Sequence, residues 1–327
     1  MKIVQASSLD SIDDYRLSEA DEPRPAPGEI AIRVAACGVG YVDSLVALGR
    51  YQVKPPLPHI PGKEVAGRIH ALGADVSGFQ IGERVLAGVE GGFAEVVRAP
   101  AAAVFRIPAR MNFAQAAGFR INYLTALHGL RDRARLGAGE RLLVLGAAGG
   151  VGMAAVQVGR ALGATVVAAA STPAKRAYAL EHGAHLALDT DPDGWRERLK
   201  SACGDVGPDV VFDPVCGPLF EPAFRSLRWG GRLLVVGFAG GPIPALRANL
   251  PLMKGAALVG VDVRQFMLFE TARADAQLDE LLTWAGDGRL DPPVGREFAF
   301  DDYRAALEFA LSGQGSGKTV LRIGDDG

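Results

Sequence analysis

The chain has 327 residues, room for two domains of ordinary size, with 49% hydrophobic and 22% charged residues. A formal net charge of -2 leaves no electrostatic footprint for nucleic acid or for an anionic membrane. Three cysteines without CxxC spacing, Cys37, Cys203 and Cys216, argue against a disulfide framework or structural zinc and point to a reducing, cytoplasmic setting. The opening "MKIVQASSLDSIDD" lacks the apolar core of a signal peptide.

In chain order, the first third reads as β structure. Short alternating or apolar runs fall at 2–6, 15–20, 29–37, 65–72, 83–88 and 93–99, punctuated by Pro and Gly clusters such as "EPRPAPGE" and "PPLPHIPGKE". Runs this short, with turns between them, predict a compact barrel or sandwich. The stretch "DSLVALGRY" after the first long strand reads as a helix, with Asp43 placed to cap it. From about Phe113 the pattern changes. One helical run spans 112–130, and strands then alternate with helices: strands at 141–147, 165–171, 209–215, 231–239 and 256–263, helices at 150–163, 173–183, 219–230 and 272–288. That alternation predicts an α/β, doubly wound parallel sheet with helices on both faces. The uncharged run 142–159 reads as strand, glycine turn and helix rather than as a membrane span. The last segment, "PPVGREFAFDDYRAALEFALSGQGSGKTVLRI", predicts a strand, a helix and a final strand that return to the N-terminal domain.

The stretch "LLVLGAAGGVGMAAVQVGRALGATVVAAAS" carries the most specific signal. A buried strand enters a glycine turn, a helix and a second strand. The dinucleotide fingerprint GxGxxG reads here Ala147-Ala148-Gly149-Gly150-Val151-Gly152, so alanine stands at its first glycine. Gly149 is expected to let the backbone approach a pyrophosphate. Gly152 is expected to let the helix pack close to the sheet, with the free N–H groups of the helix start facing the phosphates.

Proteins that bind NAD through this frame carry Asp or Glu at the end of the second strand. This chain reads Ala169-Ala170-Ser171-Thr172-Pro173-Ala174-Lys175-Arg176, with no acid. Ser171 can donate a hydrogen bond to a 2′-phosphate, and Lys175 and Arg176 can supply positive charge, so the sequence favours NADPH. Gly237 and Phe238 end one further strand, and Val261 and Asp262 the next. Ligands of such sheets bind at the carboxyl ends of the strands, which places Gly237, Phe238 and Val261 beside the nicotinamide.

Together with "PRPAPGEIAIRVAACGV", "VDSLVALGRY", "PHIPGKEVAG", "NYLTALHGL", "GRLLVVGF" and the terminal "GKTVL", these pieces resemble the medium-chain dehydrogenase/reductase superfamily. Within it they resemble the zinc-free, zeta-crystallin-like quinone oxidoreductase branch. The resemblance implies a GroES-like β-barrel catalytic domain built from residues 1–117 and 288–327. It implies a Rossmann NADP-binding domain of residues 118–287, and a cleft between the two for NADPH and substrate. In zinc-dependent relatives the first ligand is a Cys at the place of Gly40, the second a His at the place of Lys63, and the third a Cys near Arg120, Ile121 and Asn122. With no donor at these places, and with Cys37 read as a small core residue and Glu64 as structural, the resemblance implies no metal.

Without a Lewis acid, the acceptors that suit such an enzyme are quinones, enones and other conjugated carbonyls, reduced by hydride or electron transfer from the nicotinamide. Donors that can contact such a substrate are Tyr41, Tyr51, Lys63, Asn122 and Tyr123. Many zinc-free relatives carry Asn where Gly40 stands, so that contact is absent or replaced here. The family's "NYLTA" places Thr125 by the nicotinamide, and its "GK" places Lys318 at the cofactor. Arg120 reads as an ion-pair partner or as a ligand for phosphate or carboxylate. The five histidines form no ligand-spaced cluster. Relatives often dimerise through the last Rossmann strand, and "GAALVGVDV" has the apolar, β-branched character for a homodimer. Two other readings stay open at this point: a 2-enoyl thioester reductase, and a nucleotide-binding crystallin-like or sensor protein with little turnover.

Overall fold

In the computed structural model, which describes residues 1–324, the chain divides into two units. One is Met1–Arg120 together with the segment from Pro292 onward, and the other is Ile121–Asp291.

The first unit opens with β1 (Lys2–Gln5) and β2 (Arg16–Glu19), an antiparallel pair. Then come β3 (Glu29–Val39), helix α1 (Tyr41–Ala47), β4 (Glu64–Leu72), β5 (Arg84–Gly88), β6 (Val96–Pro100), β7 (Val104–Arg106) and helix α2 (Phe113–Ala117). Along β3 nine of eleven residues are buried, so it forms the centre of the sheet and not a half-exposed strand. Asn112 caps α2 by accepting the Gln115 N–H at 2.8 Å, the local reason the helix begins there.

The sequence predicts one helix over 112–130. The structure breaks it into α2, then α3 (Arg120–Leu127) and a π-helical turn, His128–Arg133. The break falls at Gly118, where the chain leaves room for a neighbour: a Cβ there would lie 2.7 Å from Cγ of Lys318.

The second unit continues with β8 (Arg141–Leu145), α4 (Gly150–Ala161), β9 (Thr165–Ala169), α5 (Pro173–Glu181), β10 (Leu186–Leu188) and α6 (Trp195–Ala202). It ends with β11 (Val210–Asp213), α7 (Phe220–Ser226), β12 (Arg232–Val235), α8 (Asn249–Lys254), β13 (Ala257–Gly260), α9 (Val263–Phe269) and α10 (Thr271–Gly286). The six strands pair in parallel in the order β10-β9-β8-β11-β12-β13. β8 and β11 lie in the middle with their apolar residues buried on both faces, as parallel sheets require. Strand β10 and helices α6, α8 and α9 are additions to the sequence reading. β10 is three residues long, and α6 is polar except for Trp195 and Leu199, one helical turn apart and both buried. The uncharged run 142–159 is β8, the glycine turn and α4. No helix among the described residues is long and apolar enough to cross a membrane.

The chain then returns to the first unit with β14 (Val294–Ala299), α11 (Tyr303–Ser312) and β15 (Lys318–Arg322). The sheet of this unit runs β14-β15-β3-β4-β5-β7, and β6 also pairs with β3. β3 therefore serves two partners along one edge. Glu29–Arg33 pair with β6 and Ala36–Val39 with β15, both antiparallel. This register places Thr319 opposite Val39, and so sets Lys318 at the end of β3 that leads into Gly40. Tyr15, Phe93, Ile32 and Leu307 belong to the core beneath.

Candidate active site

In the second unit, the chain order of the parallel strands reverses between β8 and β11, and the loops at their carboxyl ends face the same side. The turn after β8 is the predicted glycine loop. Its left-handed residue is Gly146, at φ +58, which explains how alanine is accommodated at position 147: the conformation only glycine adopts freely sits one residue earlier. Ala147 is fully buried, and its N–H bonds to the Ala169 carbonyl at 3.2 Å, tying the loop to the end of β9.

At Gly149 a Cβ would meet only the Gly146 carbonyl, at 3.4 Å, so the backbone here is open to a ligand. At Gly152 a Cβ would collide with that same carbonyl oxygen, so this glycine lets α4 close against the turn. The first-turn amides of α4, at Gly150, Val151 and Gly152, have no acceptor within the helix. Helix start, open glycine and bare turn make a cradle that fits a pyrophosphate.

Beyond β9, Thr172 caps α5 by accepting the Lys175 N–H at 3.2 Å. Lys175 and Arg176 thus fall in the first turn of α5. Arg176 Nη1 donates to the carbonyls of Ala170, at 3.2 Å, and Ser171, at 3.4 Å, which ties the guanidinium to the strand end. Partial burial lowers the Lys175 pKa from its ordinary value. Cations at the positive end of a helix dipole are unfavourable by themselves, and the pair gathers positive potential suited to an anion.

The ends of β12 and β13 bring the other expected residues to the same side. Val236 N–H bonds to the Asp213 carbonyl and Val261 N–H to the Val235 carbonyl, both at 3.0 Å. Gly237 lies against Pro214, where a Cβ would sit 3.1 Å from its carbonyl oxygen. Phe238 is exposed and Val261 buried.

Two residues outside the predicted site set shape this side. Gly146 is one. Asp213 is the other: its Oδ1 accepts the N–H groups of Val215, at 2.9 Å, and Cys216, at 2.8 Å. That holds Cys216 at φ 48 and presses Val215 towards Gly146. Burial pushes the Asp213 carboxyl up. The available signal is an acid ending an apolar strand just before a proline.

The residues of α3 are placed differently from the substrate role the sequence suggests. Tyr123 is buried and its hydroxyl donates to Gln157 Oε1 at 2.8 Å, which gives it a core role. Asn122 is buried with its amide against the start of α4, where a Cβ on Gly150 would lie 2.8 Å from Nδ2. It braces the glycine turn at the start of α4. The Thr125 hydroxyl donates to the Ile121 carbonyl at 2.6 Å.

In the first unit, Gly40 precedes α1 in extended conformation, at φ -107 and ψ 162. Asp43 acts at the helix start, as its position suggests, but from the third helical position: its Oδ2 accepts the Gly40 N–H at 2.7 Å. Beside it are the buried Glu64 and the mostly buried side chain of Lys318, with Lys318 Nζ 2.9 Å from Glu64 Oε1. Burial pushes the Asp43 carboxyl up, against the pull of Lys318. Burial alone would lower the Lys318 pKa, but the Glu64 and Asp43 carboxylates outweigh it and hold the ammonium above its ordinary value. Cys37 is fully buried, and burial, then Asp43 and Glu64, drive its thiol well above the usual range. Tyr41 and Tyr51 are half-buried, at the start of α1 and in the loop that follows it. Lys63 is ion-paired with Glu90. Arg120 lies against the bare backbone of Gly88, where a Cβ would sit 2.5 Å from its Nη1.

These residues do not fit a zinc ion. Gly40 offers no donor, Lys63 offers an ammonium, and the Cys37 thiol is held protonated. Among the described residues no group of three or more His, Cys, Asp or Glu is placed to hold a metal.

Comparison with known proteins agrees with this frame. The profile of the family described as "Alcohol dehydrogenase GroES-like domain" matches residues 26–109. That described as "Zinc-binding dehydrogenase" matches residues 150–278. The human protein named quinone oxidoreductase is 32% identical over 311 residues, covering 94% of this chain and 92% of its own length. The rat quinone oxidoreductase-like protein 2 is 33% identical over 305 residues, covering 92% of this chain and 87% of its own. Among solved structures, the quinone oxidoreductase from Thermus thermophilus, described with its NADPH complex, matches with a TM-score of 0.85 at 35% identity, covering 99% of this chain and 100% of that one.

Proposed function

We propose that this chain, which belongs to the quinone oxidoreductase-like branch of the medium-chain dehydrogenase/reductase superfamily, is an NADPH-dependent, zinc-independent reductase of quinones or α,β-unsaturated carbonyls. The observation that carries this reading is an open glycine turn at a helix start, shaped for a pyrophosphate, in a chain whose Gly40 and Lys63 offer zinc no donor. Bound NADPH would supply the hydride. The turn at Gly149 and the first amides of α4 hold the pyrophosphate, with Asn122 bracing Gly150 and Ala147 fixing the loop to β9. Ser171, Lys175 and Arg176 take the 2′-phosphate. Thr125, Gly237, Phe238 and Val261 contribute to the nicotinamide side. Tyr41, Tyr51 and Lys63 are the candidates for acceptor contact.

A second copy of the chain is expected at the exposed edge of β13, where Ala257, Leu258 and Gly260 are open.

The experiment is NADPH oxidation, followed by the absorbance of the reduced nicotinamide, against a panel of quinones, enones and enoyl-CoA thioesters after dialysis against a chelator. Turnover of quinones or enones, unchanged by chelator, supports the reading. Turnover confined to enoyl-CoA, or restored only by added zinc, overturns it. NADPH binding without turnover on any acceptor would instead favour a sensor or crystallin-like role.

A further inference from the structure

The proposed reaction lacks a group to receive the charge that builds on the acceptor's oxygen, a task zinc performs in metal-dependent relatives. The environment of Lys318 suggests one. Its side chain runs past three glycines from three different places: Gly38 in β3, Gly118 after α2, and Gly40 before α1. A Cβ on Gly118 would lie 2.7 Å from Lys318 Cγ, one on Gly38 3.0 Å from Cε, and one on Gly40 3.3 Å from Nζ. Bare backbone therefore lines the side chain along its length and delivers the ammonium to Gly40.

At that end, the Cβ direction of Gly40 is bounded by Lys318 Nζ and by Asp43 Oδ2, 3.2 Å away. Asp43 and Glu64 are buried, whereas Gly40 is partly exposed, so the charged cluster approaches the surface of this unit at this notch. An ammonium carries three hydrogens, and Glu64 Oε1 lies 2.9 Å from it as an ion pair.

Two carboxylates around one ammonium leave no surplus of positive charge. That disfavours a phosphate at Lys318 and turns the residue away from the cofactor role expected from the family resemblance. A neutral carbonyl oxygen meets less of this repulsion than a phosphate dianion, and the ammonium is the one donor of the cluster that can bond it as negative charge develops during hydride transfer. We propose that the notch at Gly40 seats the acceptor's carbonyl oxygen and that Lys318 is the catalytic residue that donates a hydrogen bond to it. This rests on the reductase reading above. It also gives Gly40 a physical reason: a side chain at that position would fill the space the oxygen needs.

The test uses Gly40→Ala and Lys318→Met/Glu64→Gln. Position 40 is extended, so alanine is compatible with the backbone, and its methyl, 3.2 Å from Asp43 Oδ2 and 3.3 Å from Lys318 Nζ, fills the notch with a shift of a few tenths of an ångström in those side chains while keeping both charges. NADPH affinity is measured by fluorescence titration, turnover with 1,4-naphthoquinone and 2-cyclohexenone, and the carbonyl stretch of bound carbon-13-labelled cyclohexanone by difference infrared spectroscopy. The expected result is a fall in kcat/KM of about 10²-fold in both variants, the scale of losing one oxyanion donor, with NADPH affinity kept. The cyclohexanone stretch should shift to lower frequency in the wild type and return to its free value in Lys318→Met/Glu64→Gln. Full activity in Gly40→Ala, an identical carbonyl band in wild type and double variant, or a selective loss of NADPH affinity in the double variant would each overturn the assignment. Should the double variant not fold, Gly40→Ala decides. Should the wild type reduce neither acceptor, the reductase reading fails, and the carbonyl band of the unreactive ketone still decides whether Lys318 donates.

Discussion

Cofactor choice is the point at which the structure gives the sharpest number. Lys175 and Arg176 occupy the first turn of α5, and no carboxylate stands at the end of β9. In the proposed complex the 2′-phosphate accepts from both. A hydrogen bond to a charged group contributes about 1.5–3 kcal/mol. Both side chains are partly exposed, which favours the low end of that range. Lys175→Ala with Arg176→Ala should therefore cost about 3 kcal/mol, or about 10²-fold in NADPH affinity.

NADH has no phosphate at this position, and its affinity should change by less than about threefold. The two variants also differ. Arg176→Ala, unlike Lys175→Ala, also frees the Ala170 and Ser171 carbonyls that the guanidinium now binds. The assay is a pair of titrations, NADPH and NADH, at low and high salt. Wild-type preference for NADPH should shrink with salt, and the double variant should show little salt dependence. Equal weakening of both cofactors, or unchanged NADPH affinity, would refute the reasoning.

Three further outcomes are expected. Burial, with Lys63 nearby, lowers the His59 pKa from 6.5 to about 4; the unfolded chain takes up its proton below about 6.5, the folded one not until near pH 4, so this contribution is intact above 6.5 and is lost as pH falls through that window. It amounts to about 2 kcal/mol after solvent screening, and His59→Gln should flatten the acid limb of stability against pH in denaturant titrations; an unchanged limb would count against it. Gly152→Ala drives a methyl into the Gly146 carbonyl; calorimetry should show a loss of about 1–3 kcal/mol and titration a weaker NADPH complex, and wild-type values for both would contradict the close approach. Leu258→Lys, on the exposed edge of β13, should convert a dimer to a monomer in light scattering, and a dimer that survives it pairs elsewhere.

The Rossmann-like unit is legible because its signals are local. A buried strand, a glycine turn and a helix follow one another within a short stretch of chain, and each fixes its own backbone. Ala147 in place of the first glycine reads as a defect in the motif, and the structure resolves it by moving the left-handed residue to Gly146. The helix over 112–130 does not run through. Gly118 is the C-cap of α2, a local stop that the periodicity masks; what packs on it, Lys318, arrives from near the far end of the chain. Tyr123 and Asn122 show the same limit. Their types suit substrate contact, and only packing reveals that Gln157 and Gly150 claim them.

Gly40 shows this limit most directly. Read along the sequence, it is a position where a donor is missing. Read in the sheet register, it is where β15, opposite the end of β3, delivers an ammonium beside an empty Cβ position. No window of sequence contains both residues, so the loss of one side chain and the arrival of another connect only once the strands are paired. If the two are functionally linked, Gly40→Ala and removal of the Lys318 charge should not add. Their combined loss in kcat/KM should match the larger single loss, as expected for residues acting on one oxygen. Additive losses would mean that Gly40 and Lys318 serve separate ends.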